Sequence, residues 1–218
     1  MNITDISSFN VRRDGRDTLN RKRILWFFLG SACFIISQPL LRLPILQHLQ
    51  QSTDFMLAYT LNPLLIGIVI AFSAGVFEEG FRFVFKQFLL QPAGCEFSQP
   101  VIFGLGHGIA EALIILAPVF MVVPVSQLGL ATLERVLAIL LHVTLTVVVW
   151  NGFQKKQRAL YLVLAIAIHG SVNSLIPVLA PFPNSVIVIE GVLAVVVAVM
   201  MGYSCYSKKY YIQKEEQQ

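Results

Sequence analysis

The sequence predicts an all-α, polytopic transmembrane helical bundle of about six spans, with both termini cytoplasmic. Three observations predict it. The 218 residues are 56% hydrophobic and only 13% charged, against roughly a quarter charged in an average soluble domain. The apolar residues fall in runs of about twenty, the length that crosses a hydrocarbon core. The basic residues sit almost entirely between and outside those runs, as topology signals do. Together these exclude a soluble enzyme and a disordered chain. They also exclude nucleic acid as a partner, despite the net charge of +4.

The elements follow in order. Residues 1–23 form a basic cytoplasmic tail carrying Arg12, Arg13, Arg16, Arg21, Lys22 and Arg23. The first span is expected from Ile24 to Leu41, followed by a polar loop with Gln47, His48, Gln50, Gln51 and Asp54. The second is expected from Phe55 to Phe77, its helix continuing through Glu78, Glu79, Arg82 and Lys86 to about Leu90, where Pro92 and Gly94 break it. The third runs from Val101 to Val123 and is closed by Pro124; the fourth runs from Leu133 to Trp150. A basic loop from Asn151 to Arg158 leads to the fifth, Ala159 to Ala180, which ends before Pro181 and Pro183. The sixth runs from Ser185 to Tyr206. The domain reading is therefore a tail (1–23), one transmembrane helical domain (24–206) and a cytoplasmic C-terminal tail (207–218).

With both termini inside, fourteen of the sixteen Lys and Arg face the cytoplasm, and only Arg42 and Arg135 fall outside. The opposite orientation would translocate nearly every positive charge. Cys33, Cys95 and Cys205 are odd in number and widely spaced, so they make neither a disulfide framework nor a zinc knuckle. No cleavable signal peptide is visible.

Ionisable groups inside a span cost about 3 kcal/mol each on insertion scales, so each needs a partner or a purpose. His107 and Glu111 lie in the third span, His142 in the fourth and His169 in the fifth, while Glu78, Glu79 and Arg82 lie at the end of the second. His107 and Glu111 are i, i+4, as are His169 and Asn173, and Glu78 and Arg82. Gly104 and Gly108 form a Gly-x-x-x-Gly pair that lets a neighbouring helix approach. Taken singly, His142 reads as an interhelical hydrogen bond and the Glu78, Glu79, Arg82 group as a juxtamembrane ion pair. Histidines at compatible depths on three helices, with carboxylates beside them, point to one polar site in the cytoplasmic half of the bilayer. Glu134 and Arg135 read as a local pair or anchor, Glu190 as interfacial, and His48 as a loop residue without special role.

Carboxylates with imidazoles can bind one divalent ion, zinc first, and activate its water. The same set can work without metal, a glutamate acting as base while His and Asn polarise a carbonyl. Both routes hydrolyse an amide. No serine elbow, Cys–His pair or His-Glu-x-x-His is present. Two rival readings use the same cluster: a proton-coupled transporter, or a non-catalytic scaffold or immunity protein.

The ordered motifs Glu78-Glu79 with Arg82, Phe103 to His107 with Glu111, Glu134-Arg135 with His142, and His169 to Asn173 resemble those of the YhfC-type intramembrane metalloproteases. These are similar in turn to the CAAX-prenyl-protease and bacteriocin-processing (CPBP, ABI) membrane proteases. Arg82 stands three residues from Glu79, one short of the CPBP spacing and closer to the YhfC-type one. The resemblance covers about residues 70–175 and implies an integral-membrane endopeptidase of a bacterial plasma membrane, acting on membrane-embedded or membrane-associated peptides. It implies catalytic roles for Glu78, Glu79, Arg82, His107 and Asn173, metal ligation by Glu79, His107, His142 and His169, and supporting roles for Glu111 and Glu134. In that scheme Glu78 or Glu79 activates water with His107, and Arg82 orients a glutamate.

Overall fold

The structure is a computed structural model that describes residues 21–90, 95–124 and 128–212. Most of the expected N-terminal tail, the breakers Pro92 and Gly94, and Lys214 lie outside the described residues. Seven helices make up the described chain, and it contains no strand. They are α1 (Arg21–Gln50), α2 (Thr53–Leu61), α3 (Pro63–Leu89), α4 (Ser98–Phe120), α5 (Gly129–Gln154), α6 (Arg158–Leu179) and α7 (Ser185–Tyr210). All but α2 are long and apolar enough to cross a membrane. Their outward faces carry exposed leucine, valine and isoleucine, such as Ile187, Val195 and Val199 on α7. Such a surface suits hydrocarbon rather than water.

Two boundaries depart from expectation for reasons the prolines supply. The second span begins at Pro63 rather than Phe55. A residue before proline is pushed away from helical geometry, and Asn62 sits at φ −139° and ψ 65°, separating α2 from α3. In α1 the opposite happens: Pro39 does not stop the helix. The turn widens to π-helix over Ile36–Arg42 and absorbs the lost hydrogen bond, and helix resumes over Leu43–Gln50. His48 is therefore an exposed helical residue, not a loop residue.

The hub is α5. Of its apolar window 67% is buried, against 17% to 39% for the other spans. It packs on α4, α6 and α7, while α3 packs on α6. Close approach is built from glycine. A methyl on Gly104 would stand 2.6 Å from the Val143 Cα, and one on Gly108 would stand 2.8 Å from the Ile139 Cα, so the expected small-residue seam joins α4 to α5. On the other side of α4, Gly106 meets the Phe27 backbone of α1, and Ser31 Oγ donates to the Gly106 carbonyl at 2.9 Å.

Below the midpoint of α5 the interior is mostly apolar. Phe85, Phe103, Leu145, Val148, Val149, Trp150, Phe153, Tyr161 and Tyr211 form one buried cluster. Arg82 is fully buried, as its place in the polar cluster implies, and Lys86, expected as a charge on the cytoplasmic side, is fully buried too. Lys86 lies 4.4 Å over the Trp150 ring, and Arg82 reaches into the polar centre.

Candidate functional site

The consecutive residues Glu78 and Glu79 point about a hundred degrees apart on α3, so they take different partners. Glu78 accepts from Gln38 Nε2 at 2.5 Å through Oε1, and from His107 Nε2 at 2.9 Å through Oε2. Glu79 Oε1 accepts from Arg82 at 2.5 Å and from His169 Nδ1 at 2.7 Å. Arg82 NH2 lies 2.6 Å from His142 Nδ1, and 3.7 Å from Glu78 Oε2. On its far side, the His142 Nε2 pairs with Glu111 Oε2. Glu111 Oε1 in turn accepts from Arg135 NH1 at 3.1 Å, and the rest of that guanidinium is held by Glu134. Glu78, Glu79, Arg82, His107, His142 and His169 are all under 5% exposed.

Each of the three histidines is thus backed by a different carboxylate, and each pair joins two helices: His107 with Glu78, His142 with Glu111, His169 with Glu79. His107 Nε2 faces Glu78 Oε2 and His169 Nδ1 faces Glu79 Oε1, and because a carboxylate only accepts, those two ring nitrogens donate. Carboxylate-backed imidazoles of this kind are how metal-binding histidines are oriented in general.

Among the described residues, Glu78, His142 and His169 form the group that could hold a metal ion, each offering one ligand atom within 4.8 Å of the others. Two imidazoles and a carboxylate are a donor set that zinc accepts. Charge fits as well. Glu78 and Glu79 face one buried guanidinium, Arg82, while Arg135 is engaged by Glu111 and Glu134, so with neutral histidines the innermost ring is net negative. Four buried atoms of the centre, Glu79 Oε2, Arg82 Nε, His107 Nδ1 and Glu111 Oε2, have no hydrogen-bond partner among the described residues. This grouping differs from the expected ligand set: Glu78 stands where Glu79 was expected, and His107 is a neighbour of the group rather than part of it. Glu79 is engaged by Arg82 and His169. Asn173, one turn beyond His169 and half-buried, stands outside the bonded network.

The sequence reading missed Gln38 and Arg42, and so missed that α1 joins the site. Arg42 donates to Gln38 Oε1 at 2.9 Å, to Ser73 Oγ at 2.8 Å and to the Ile70 carbonyl at 2.7 Å. The signal was a carboxamide inside an apolar run, immediately before Pro39. π-Turns of this sort recur at functional sites, and here the turn carries both Gln38 and Arg42.

The fold and this centre define a class: a helical integral-membrane protein built around a buried carboxylate–imidazole site. The family is narrower. The YhfC intramembrane metalloprotease family matches residues 16–123 and 115–201, and the chain belongs to it. No curated protein and no solved structure matches the chain.

Proposed function

We propose that this protein is an integral-membrane endopeptidase that hydrolyses a peptide bond within or next to the bilayer, in a bacterial plasma membrane with both termini cytoplasmic. The observation that carries the reading is the convergence of three carboxylate-backed histidines from three helices on one buried, net-negative centre. Family membership supports it.

Glu78, His142 and His169 would hold a divalent cation, with zinc the first choice. When bound, such an ion acidifies water and polarises a carbonyl. The chain's own groups do the rest. Glu79 fixes the His169 ring through Nδ1, and its unpartnered Oε2 is free to take a proton from water. Arg82 holds Glu79 in place and spans to His142. His107 steadies Glu78 and retains an unpartnered Nδ1 for proton transfer. Asn173 supplies an amide donor to the carbonyl of a bound peptide. Water oxygen attacks the carbonyl carbon, the C–N bond breaks, and the proton taken from water passes to the leaving amine. Glu111 and Glu134 support the centre from the side of Arg135.

The test uses the purified full chain in nanodiscs with membrane-anchored peptides. The reading expects cleavage by wild type and its loss in Glu79→Ala and His107→Ala. It also expects about one zinc per chain, lost in His142→Ala. Equal cleavage by wild type and both variants would overturn it, as would pH-driven solute flux without hydrolysis.

A further inference from the structure

Pro39 takes a backbone donor out of α1, and the helix answers with the π-turn over Ile36–Arg42. Two polar side chains of that turn, Gln38 and Arg42, lie against α3. Arg42 is anchored first. Its Nε donates to Ser73 Oγ at 2.8 Å and its NH2 to the Ile70 carbonyl at 2.7 Å, while Ser73 Oγ donates to the same carbonyl at 2.6 Å. The remaining nitrogen, NH1, donates to Gln38 Oε1 at 2.9 Å. Gln38 is buried, and its Nε2 donates to Glu78 Oε1 at 2.5 Å. The hydrogen bonds therefore run unbroken from the Ile70 carbonyl to the Glu78 carboxylate. Both ends lie on α3, about two turns apart, so the π-turn of α1 staples that length of α3.

We propose that Gln38 is a positioning residue for Glu78: it holds Oε1, so that Oε2 is the oxygen presented to the histidines, and Arg42 sets which way the Gln38 carboxamide faces. That orientation follows from Arg42 alone. A guanidinium only donates, so the carboxamide oxygen faces Arg42 and the amide N–H faces Glu78. The reverse orientation would set amide hydrogens against guanidinium hydrogens. With Oε1 held, Oε2 lies 2.9 Å from His107 Nε2, 3.6 Å from His142 Nδ1 and 3.7 Å from Arg82 NH2. The terminal torsion of a glutamate is broad and roughly two-fold. Without the Gln38 donor, Glu78 can turn about it and exchange the oxygen it offers. Groups that orient a ligating side chain from behind commonly set the affinity of a cation site. α1 thus takes part in the centre without supplying a ligand to it.

The inference rests on the reading of Glu78 as a cation ligand for its effect on affinity alone; the hold on the carboxylate is observable without metal. Gln38→Met keeps the length of the side chain and removes the amide, and Arg42 stays tied to Ser73 and Ile70, which keeps α1 docked. The first measurement is infrared spectroscopy of the metal-free full chain in nanodiscs, labelled with ¹³C-glutamate, with Glu78→Gln to assign the Glu78 band. Gln38→Met is expected to shift that band, and Arg42→Met to shift it the same way by less. The second is titration of the same chains with Co²⁺, read by its visible absorption. Gln38→Met is expected to weaken Co²⁺ binding about 10- to 100-fold and to alter the absorption spectrum. A Glu78 band that stays in place in Gln38→Met overturns the proposal, as does Co²⁺ binding of equal affinity and spectrum in wild type and Gln38→Met. A shifted band in a chain that binds no Co²⁺ upholds the hold of Gln38 on Glu78 and removes the cation reading instead.

Discussion

Two interiors lie side by side on α5. From Leu145 to Phe153 the helix is buried in aromatic and aliphatic contacts, with Trp150 tilted against Phe103 and edge-on to Trp26. One turn before that stretch, His142 is just as buried, yet its neighbours are Arg82, Glu111, His107 and His169. The same helix thus supplies a mostly apolar region and a charged one at equal burial. The first region is held mostly by dispersion, which accepts approximate fits, with the Lys86 ammonium over Trp150 and the Asn151–Tyr203 hydrogen bond set within it. The charged region is held by pairings in which every donor needs an acceptor, and one missing partner leaves a buried charge exposed to a low dielectric. Burial alone therefore says nothing about chemistry; the identity of the partners does.

The comparison can be broken hardest at Glu79. Glu79→Gln keeps the size of the side chain and removes the proposed base, so peptide cleavage is expected to fall about 10²- to 10⁴-fold. A fall of less than tenfold would move the base elsewhere. Trp150→Ala attacks the apolar region instead. It is expected to cost about 3–5 kcal/mol, read as a lowered thermal midpoint in detergent, while the zinc bound per folded chain stays the same. If metal content falls with stability, the two interiors are coupled rather than adjacent.

The seam between the interiors and α4 is next. Gly104→Ala puts a methyl 2.6 Å from the Val143 Cα. Such overpacking costs about 1–3 kcal/mol, and because α4 carries His107 and Glu111, cleavage should drop alongside the thermal midpoint. The smallest effect is expected at Tyr211→Phe. The Tyr211 hydroxyl donates to the Val147 carbonyl at 3.4 Å, a long contact within the apolar region. Its loss should cost no more than about 1 kcal/mol and leave cleavage untouched. A larger loss would show that the apolar region also depends on polar pairing.

The residues show how far a linear reading reaches. Six spans followed from apolar run length, and the Gly104 and Gly108 seam followed from small-residue spacing. His107, His142, His169, Glu78, Glu79 and Glu111 stood out because each is costly inside an apolar run, a cost that is local and additive. Gln38 escaped notice because a carboxamide costs less than a charge, and its partner, Glu78, is forty residues away. The different employment of Glu78 and Glu79 was equally hidden: adjacent identical residues separate only when their neighbours are known. Lys86 reads from sequence as a charge on the cytoplasmic side because position along a span is the only guide, whereas it is buried.

By itself, then, the sequence determined the helical class, the span count and the inventory of costly groups, since hydropathy and period are properties of a segment alone. The tertiary structure decided which imidazole meets which carboxylate, that α1 contributes through its π-turn, and that Arg135 reaches back to Glu111. Those are relations between segments dozens of residues apart. They are fixed by helix packing distances of a few ångströms, to which local pattern is blind.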